Sequence, residues 1–162
     1  MEKVWNDKLY VSSEGEKYLE ITDLKSREKE KLKLNDAYTI EEIISIKNGA
    51  DVVVGTPYSD IGSGDEKGWS NYLIDTKTGK VTKSTLQDRY KKPIDIEAQN
   101  EEYLYVENNS KNTTEYVAWA GVNQEITSEV EYSLISKKDY LANKANYQKV
   151  ELLNGGKVKD ED

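Results

Sequence analysis

Along most of this chain apolar and polar residues alternate with a period of two, the spacing of a strand with one buried face. Tyr18-Leu19-Glu20-Ile21-Thr22 alternates cleanly, and Val52-Val53-Val54 and Tyr103-Leu104-Tyr105-Val106 are short runs of strand-favouring residues. Turn chemistry separates such runs. Glu14-Gly15 lies between Leu9-Tyr10-Val11 and Tyr18, Asn48-Gly49 precedes Val52, and Lys77-Thr78-Gly79-Lys80 lies between Leu73-Ile74 and Val81. Thr39 and Glu42 have the spacing of a helix-capping pair, but the Asn48-Gly49 turn makes Glu42 to Lys47 a hairpin strand instead. Ser136-Lys137-Lys138-Asp139-Tyr140-Leu141 opens on a capping serine and predicts a turn or two of helix. The pattern predicts an all-β, antiparallel fold.

A repeat runs through it. Leu9-Tyr10-Val11 is followed by Tyr18-Leu19-Glu20-Ile21 and, after a polar turn, by Lys31-Leu32-Lys33-Leu34. Val52-Val53-Val54 is followed by Tyr72-Leu73-Ile74-Asp75 and then Lys80-Val81-Thr82, and Leu104-Tyr105-Val106 by Glu115-Tyr116-Val117-Ala118-Trp119. The polar-Tyr-aliphatic step thus recurs at Tyr18, Tyr72 and Tyr116, a period that suits units of three or four antiparallel strands. Residues 1–153 are expected to form a single all-β domain of about three repeats. Residues 154–162, opening on Asn154-Gly155-Gly156, read as a polar tail. Before that tail, Tyr147-Gln148-Lys149-Val150-Glu151-Leu152 alternates again and is expected to pair back within the domain.

Tyr72-Leu73-Ile74-Asp75-Thr76-Lys77-Thr78-Gly79-Lys80-Val81 resembles the inner hairpin of a β-propeller blade, in which an aliphatic strand ends in Asp, turns through Thr-Gly and returns. Tyr132-Ser133-Leu134-Ile135-Ser136-Lys137-Lys138-Asp139-Tyr140, with Asn146-Tyr147 after it, is similar to blade ends in propeller-like bacterial lipoproteins. The resemblance covers about residues 4 to 153 and implies propeller-like blade units and an extracytoplasmic setting. Three units are fewer than the ~4–8 blades of a closed ring. The resemblance therefore implies a partial propeller, with a twisted β-meander or barrel as the alternative.

Composition narrows the chemistry sharply. The 162 residues include no His and no Cys, which excludes a Ser-His-Asp triad, a thiolate nucleophile, an iron–sulfur cluster and a Cys/His zinc site. A disulfide framework is excluded with them. Charged residues make up 33% of the chain, the mean hydropathy is -0.85, and no apolar run approaches the ~18 residues of a membrane helix. The net charge of -8 disfavours nucleic acid, attracts cationic peptides, cationic protein surfaces or calcium, and keeps the chain soluble. Arg27 and Arg89 are the sole arginines, so bidentate anion clamps are nearly absent. The bias to Lys, Asn and Ile suits an AT-rich bacterial genome. In that setting the sequons Asn108-Asn109-Ser110 and Asn112-Thr113-Thr114 read as polar turns.

The most distinctive loop is Ser59-Asp60-Ile61-Gly62-Ser63-Gly64-Asp65-Glu66-Lys67-Gly68-Trp69. Asp60, Asp65 and Glu66 offer hard oxygen ligands of the kind calcium takes, but the spacing is not that of an EF-hand. The loop also resembles the Asp-box of sialidase-type propellers through Ser63-x-Asp65 and Gly68-Trp69, a motif that braces a turn. With Tyr58 and Trp69 at its flanks it becomes the expected ligand-binding surface: Tyr58, Asp60, Asp65, Glu66 and Trp69. The bland alternative is a glycine-rich structural loop. No metal or cofactor is expected. Asp75, at the end of Tyr72-Leu73-Ile74, is the single carboxylate set against an apolar run that could raise its pKa. Twelve Tyr and three Trp with no Phe must furnish core as well as any binding face. Tyr90-Lys91-Lys92 and Ser136-Lys137-Lys138 read as solvated turns.

Together these features point to a non-catalytic binding module of a bacterial surface protein or lipoprotein, in its exported form without a signal. The ligand would be a protein, peptide or glycan. The alternatives are a carboxylate-based glycoside hydrolase of sialidase-like type and an acidic immunity lipoprotein that sequesters cationic peptides.

Overall fold

A computed structural model describes residues 1–60, 70–89, 91–117 and 121–150, with the backbone alone for 110–117 and 122–129. The fold is all-β. Helix among these residues is confined to a 3-10 turn at Tyr58–Asp60 and to α1 (Lys137–Leu141). Among the described residues twelve strands make three antiparallel four-stranded sheets, each a meander of successive strands, and none of these closes on itself. The chain divides into two compact units: Met1–Thr85 with Lys91–Pro93, and the remainder from Leu86 onward.

The first unit holds two sheets. One comprises β1 (Glu2–Trp5), β2 (Lys8–Val11), β3 (Tyr18–Asp23) and β4 (Lys29–Lys33). The other comprises β5 (Glu42–Ile44), β6 (Val52–Gly55), β7 (Tyr72–Asp75) and β8 (Val81–Lys83). Register decides which side chains share a face. Tyr10 lies opposite Ile21, and Leu19 opposite Leu32, so these project together from the first sheet. Ile43, Val53, Ile74 and Val81 are cross-strand partners in the second. The two rows pack into one core with Tyr38 and Ile40, and Leu19, Ile43, Val53 and Ile74 are fully buried there. Burial of such side chains contributes about 1.5–3 kcal/mol each. Polar contacts fasten the rim: Lys3 pairs with Glu42 at 3.0 Å, Trp5 donates to the Ser45 hydroxyl, and the Tyr10 hydroxyl donates to Asp51 at 3.0 Å. Ile44, Val54 and Leu73, on the opposite face of the second sheet, are buried as well. That double burial explains why β6 reads Val-Val-Val rather than alternating.

Two hairpins in this unit close with the same turn. Asp23 Oδ1 accepts from the backbone N–H of Lys25 and Ser26, while Asp23 N donates to Glu28 O and Arg27 N to Asp23 O. Asp75 Oδ1 likewise accepts from Lys77 and Thr78, with Asp75 N donating to Lys80 O and Gly79 N to Asp75 O. Arg27 and Gly79 occupy the same left-handed position, at φ 63° and 78°. Glu42 begins β5, as the hairpin reading of that segment expects, and the Thr39 hydroxyl caps no helix but donates to Glu41 Oε1 at 2.8 Å.

The second unit holds β9 (Asp95–Gln99), β10 (Tyr103–Val117), β11 (Val122–Ser136) and β12 (Gln148–Val150) in the order β12-β11-β10-β9. Leu104, Val106 and Ile135 are buried on one face, and Tyr140 of α1 is buried too. Ser136 caps α1 by accepting from Asp139 N at 3.0 Å, as its position in the sequence predicts. The expected returning strand is present over Gln148–Val150, paired with Tyr132–Leu134 of β11.

Three expectations are corrected here. Leu104 and Tyr116 lie in one 15-residue strand, so Tyr116 is not the counterpart of Tyr18 and Tyr72. The strand that follows β10, as β3 follows β2 and β7 follows β6, is β11, which carries Tyr132. The two sequons are not turns but part of β10, which absorbs them through register shifts at Glu107/Asn109 and Lys111/Asn112. A bulge lets a polar stretch stay in a ladder without reversing the chain. Finally, Lys137 is buried rather than solvated, at 6% exposure.

Candidate functional site

Of the sequence-predicted ligand residues, Tyr58 and Asp60 are placed, and Asp65, Glu66 and Trp69 lie outside the described residues. The 3-10 turn holds Tyr58 half-buried, with its hydroxyl 3.3 Å from Ser12 Oγ and 3.4 Å from Ser12 O. This contact ties the turn to the end of β2. Asp60 N donates to Pro57 O at 2.9 Å, closing the turn. Asp75 accepts from two turn amides, so its carboxylate belongs to the hairpin. Among the described residues no group of three or more carboxylates is arranged to hold a metal ion. No helix among them is long and apolar enough to cross a membrane.

A different cluster stands out on the third sheet. Tyr105 pairs with Leu134, and Glu107 with both Tyr132 and Asp95, so Tyr105, Glu107, Tyr132 and Leu134 share the face opposite Leu104 and Val106. Tyr105 and Tyr132 are diagonal neighbours on the two longest strands, and their rings stack 5.4 Å apart at 16°. Diagonal spacing across an antiparallel pair is within reach of aromatic side chains. Asp95 and Glu97 of β9 flank them, and both are exposed.

Electrostatics mark this face. Burial pushes the Glu107 carboxyl up from its ordinary value, and the negative charges of Asp95, Glu97 and Asp88 push it further. Partial desolvation raises the Tyr132 phenol, with the charges of Glu107 and Glu97 adding to it. Like charges held together on a sheet repel, and a bound cation relieves that repulsion while meeting the negative faces of the rings. The arrangement thus favours an ammonium or guanidinium group.

The sequence marks Tyr105 only as part of a strand-favouring run and does not point to Tyr132, Glu107, Asp95 and Glu97 as its companions. The signal was present as matching alternation in Tyr103 to Glu107 and Glu131 to Leu134. Only the pairing of β10 with β11 brings the two runs together. Comparison with protein-family models, curated proteins and solved structures finds no match to the chain.

Proposed function

We propose that this chain is a non-catalytic binding module of a bacterial surface protein or lipoprotein, and that it takes a protein or peptide segment presenting basic side chains. The observation that carries this reading is the Tyr105–Tyr132 stack with Glu107, Asp95 and Glu97 around it. Rings beside carboxylates attract a cation through the ring quadrupole and through charge, at about 0.5–2 kcal/mol per contact. The net charge of -8 adds a long-range pull on a basic partner. Three successive four-stranded meanders support taking the sheets as propeller-like blade units. The lipoprotein resemblance and the Lys- and Asn-rich composition support an exported bacterial setting.

The test is fluorescence anisotropy of a labelled nona-lysine peptide against a nona-serine peptide and a glycan panel. The basic peptide is expected to bind, to weaken as salt rises, and to weaken again as pH falls and Glu107 takes up its proton. Tyr105→Ala and Glu107→Gln are each expected to weaken it roughly threefold or more. Equal binding of the neutral peptide, or binding to glycans alone, removes the basic-segment reading.

A further inference from the structure

The first unit contains a recess of about 320 Å³ at one end of its two facing sheets. That volume lies at the small end of the roughly 300–1,000 Å³ range of small-molecule sites. Tyr10 and Ile21, cross-strand partners on the first sheet, line it together with Gly49 and Ala50. The charged lining comes from both sheets: Lys8 and Glu30 from the first, Asp51 and Lys77 from the second. Two ammonium groups and two carboxylates make the recess formally neutral, in a chain whose net charge is -8.

These opposite charges do not neutralise one another directly. None of the four forms an ion pair with another described residue, although all line one space. Asp51 is instead fixed by the Tyr10 hydroxyl, which donates to its Oδ2 at 3.0 Å. Burial, and then the Asp51 carboxylate, hold the Tyr10 phenol far above the ordinary tyrosine range, so it stays a proton donor. Asp51 O is held too, accepting from Thr76 N and from the Thr76 hydroxyl at 2.7 Å. The acid is therefore positioned by its neighbours before any ligand arrives, which limits the ordering cost of binding.

We infer that this recess binds a small zwitterion, of amino-acid to dipeptide size, whose ammonium group meets Asp51 and Glu30 and whose carboxylate meets Lys8 and Lys77. A ligand carrying both charges bridges groups that the fold keeps apart. A ligand carrying one charge leaves the opposite pair unsatisfied and adds its own net charge to a neutral site. The site is independent of the aromatic face on the third sheet, so either can fail without the other.

The experiment is an amide chemical-shift titration of the full-length chain with four probes: dialanine, acetyl-dialanine, dialanine amide and the doubly blocked acetyl-dialanine amide. Dialanine is expected to shift the amides of Gly49, Ala50, Asp51 and Thr76. The singly blocked probes should bind at least about threefold more weakly, as loss of a partly exposed ion pair implies. Lys77→Met, at an exposed turn position, should weaken dialanine by a similar factor without altering its amide-blocked baseline. Asp51→Asn should weaken dialanine by a similar factor without altering its acetyl-blocked baseline, with thermal melting of both variants reporting any loss of fold. Binding of the doubly blocked probe as tight as that of dialanine overturns the inference. So does dialanine that leaves these four amides unmoved, or a folded Lys77→Met variant that binds dialanine unchanged.

Discussion

The β3–β4 and β7–β8 hairpins close with the same turn, yet they hold different residues at its left-handed position. Asp23 and Asp75 cap the two turns through the same pair of amides, and Ser26 and Thr78 accept from Glu28 N and Lys80 N in the same way. Arg27 sits at φ 63° in one and Gly79 at φ 78° in the other. Their surroundings explain the difference. Arg27 is exposed, so only its backbone is strained. A Cβ at Gly79 would come within 2.9 Å of Lys33 O and 3.4 Å of Leu32 Cδ1, so the second turn needs glycine for space as well as for φ. One turn chemistry thus serves an open site and a packed one, and the packing decides how strictly the sequence must follow it.

Substitutions at these turns sharpen the contrast, and the largest effect belongs to the packed one. Gly79→Ala should lower stability by about 2 kcal/mol, combining the left-handed penalty with the contact against Lys33 O. Urea unfolding measures this directly, and a loss no greater than that of an exposed surface change would show that the turn yields. Asp75→Ala should cost about 1 kcal/mol through the two amide bonds it removes, read from the same curves. Arg27→Gly should move the other way, stabilising by about 0.5–1 kcal/mol because glycine adopts that φ without steric penalty. If it destabilises instead, the Arg27 side chain contributes something beyond its backbone.

The third sheet departs from both. Its corresponding connection, from β11 to β12, passes through the Ser136-capped α1 rather than an Asp-capped turn. Its outer face carries the crowded carboxylates around Glu107. Because folding raises the Glu107 pKa, its contribution favours the fold below the ordinary carboxylate value and is lost as pH rises through the raised one. Glu107→Gln should therefore raise the melting temperature at neutral pH, by less than about 0.5 kcal/mol equivalent, with the gain vanishing in acid. A variant that melts lower at pH 7 would contradict that sign. Its expected loss of basic-peptide binding would make this a trade of stability for function.

Asp23 gives the opposite and smallest signal. The Ser26 and Lys25 amides lower its pKa, so its contribution is present above the ordinary aspartate range and is lost as pH falls through the lowered value. Asp23→Asn should flatten that acid limb while leaving neutral stability nearly unchanged, as acid titrations of the melting temperature would show. A steeper acid limb in the variant would mean that other carboxylates dominate there.

How far the sequence was legible depended on how local each feature is. The Thr78-Gly79 turn was evident because glycine announces a left-handed residue. Its twin at Asp23 to Glu28 is legible only as a polar turn, because arginine does not mark the left-handed position. Leu104 and Tyr116 were placed in separate strands, since alternation reads the same for two short strands as for one long one. The polar sequons between them resemble a turn unless the bulges that accommodate them are known. Tyr58 and Asp60 stood out for their loop. Tyr132 and Glu107 did not, because nothing in either run alone indicates the other.

The sequence by itself determined the all-β class, the antiparallel turns, the Ser136 cap and the absence of His and Cys chemistry. These rest on residue type and on neighbours a few positions away, and backbone sterics and short-range hydrogen bonds act at that range. Tertiary structure alone decided that β10 pairs with β11 along its length and that β6 is buried on both faces. It also decided that Tyr105 stacks on Tyr132 and that Tyr10 reaches Asp51 across two sheets. Period-two alternation assigns a residue to one side of a strand, but it does not say which strand lies alongside or what faces it. Burial, stacking and shifted acidity arise between residues far apart in the chain, so they exist only once the sheets have formed.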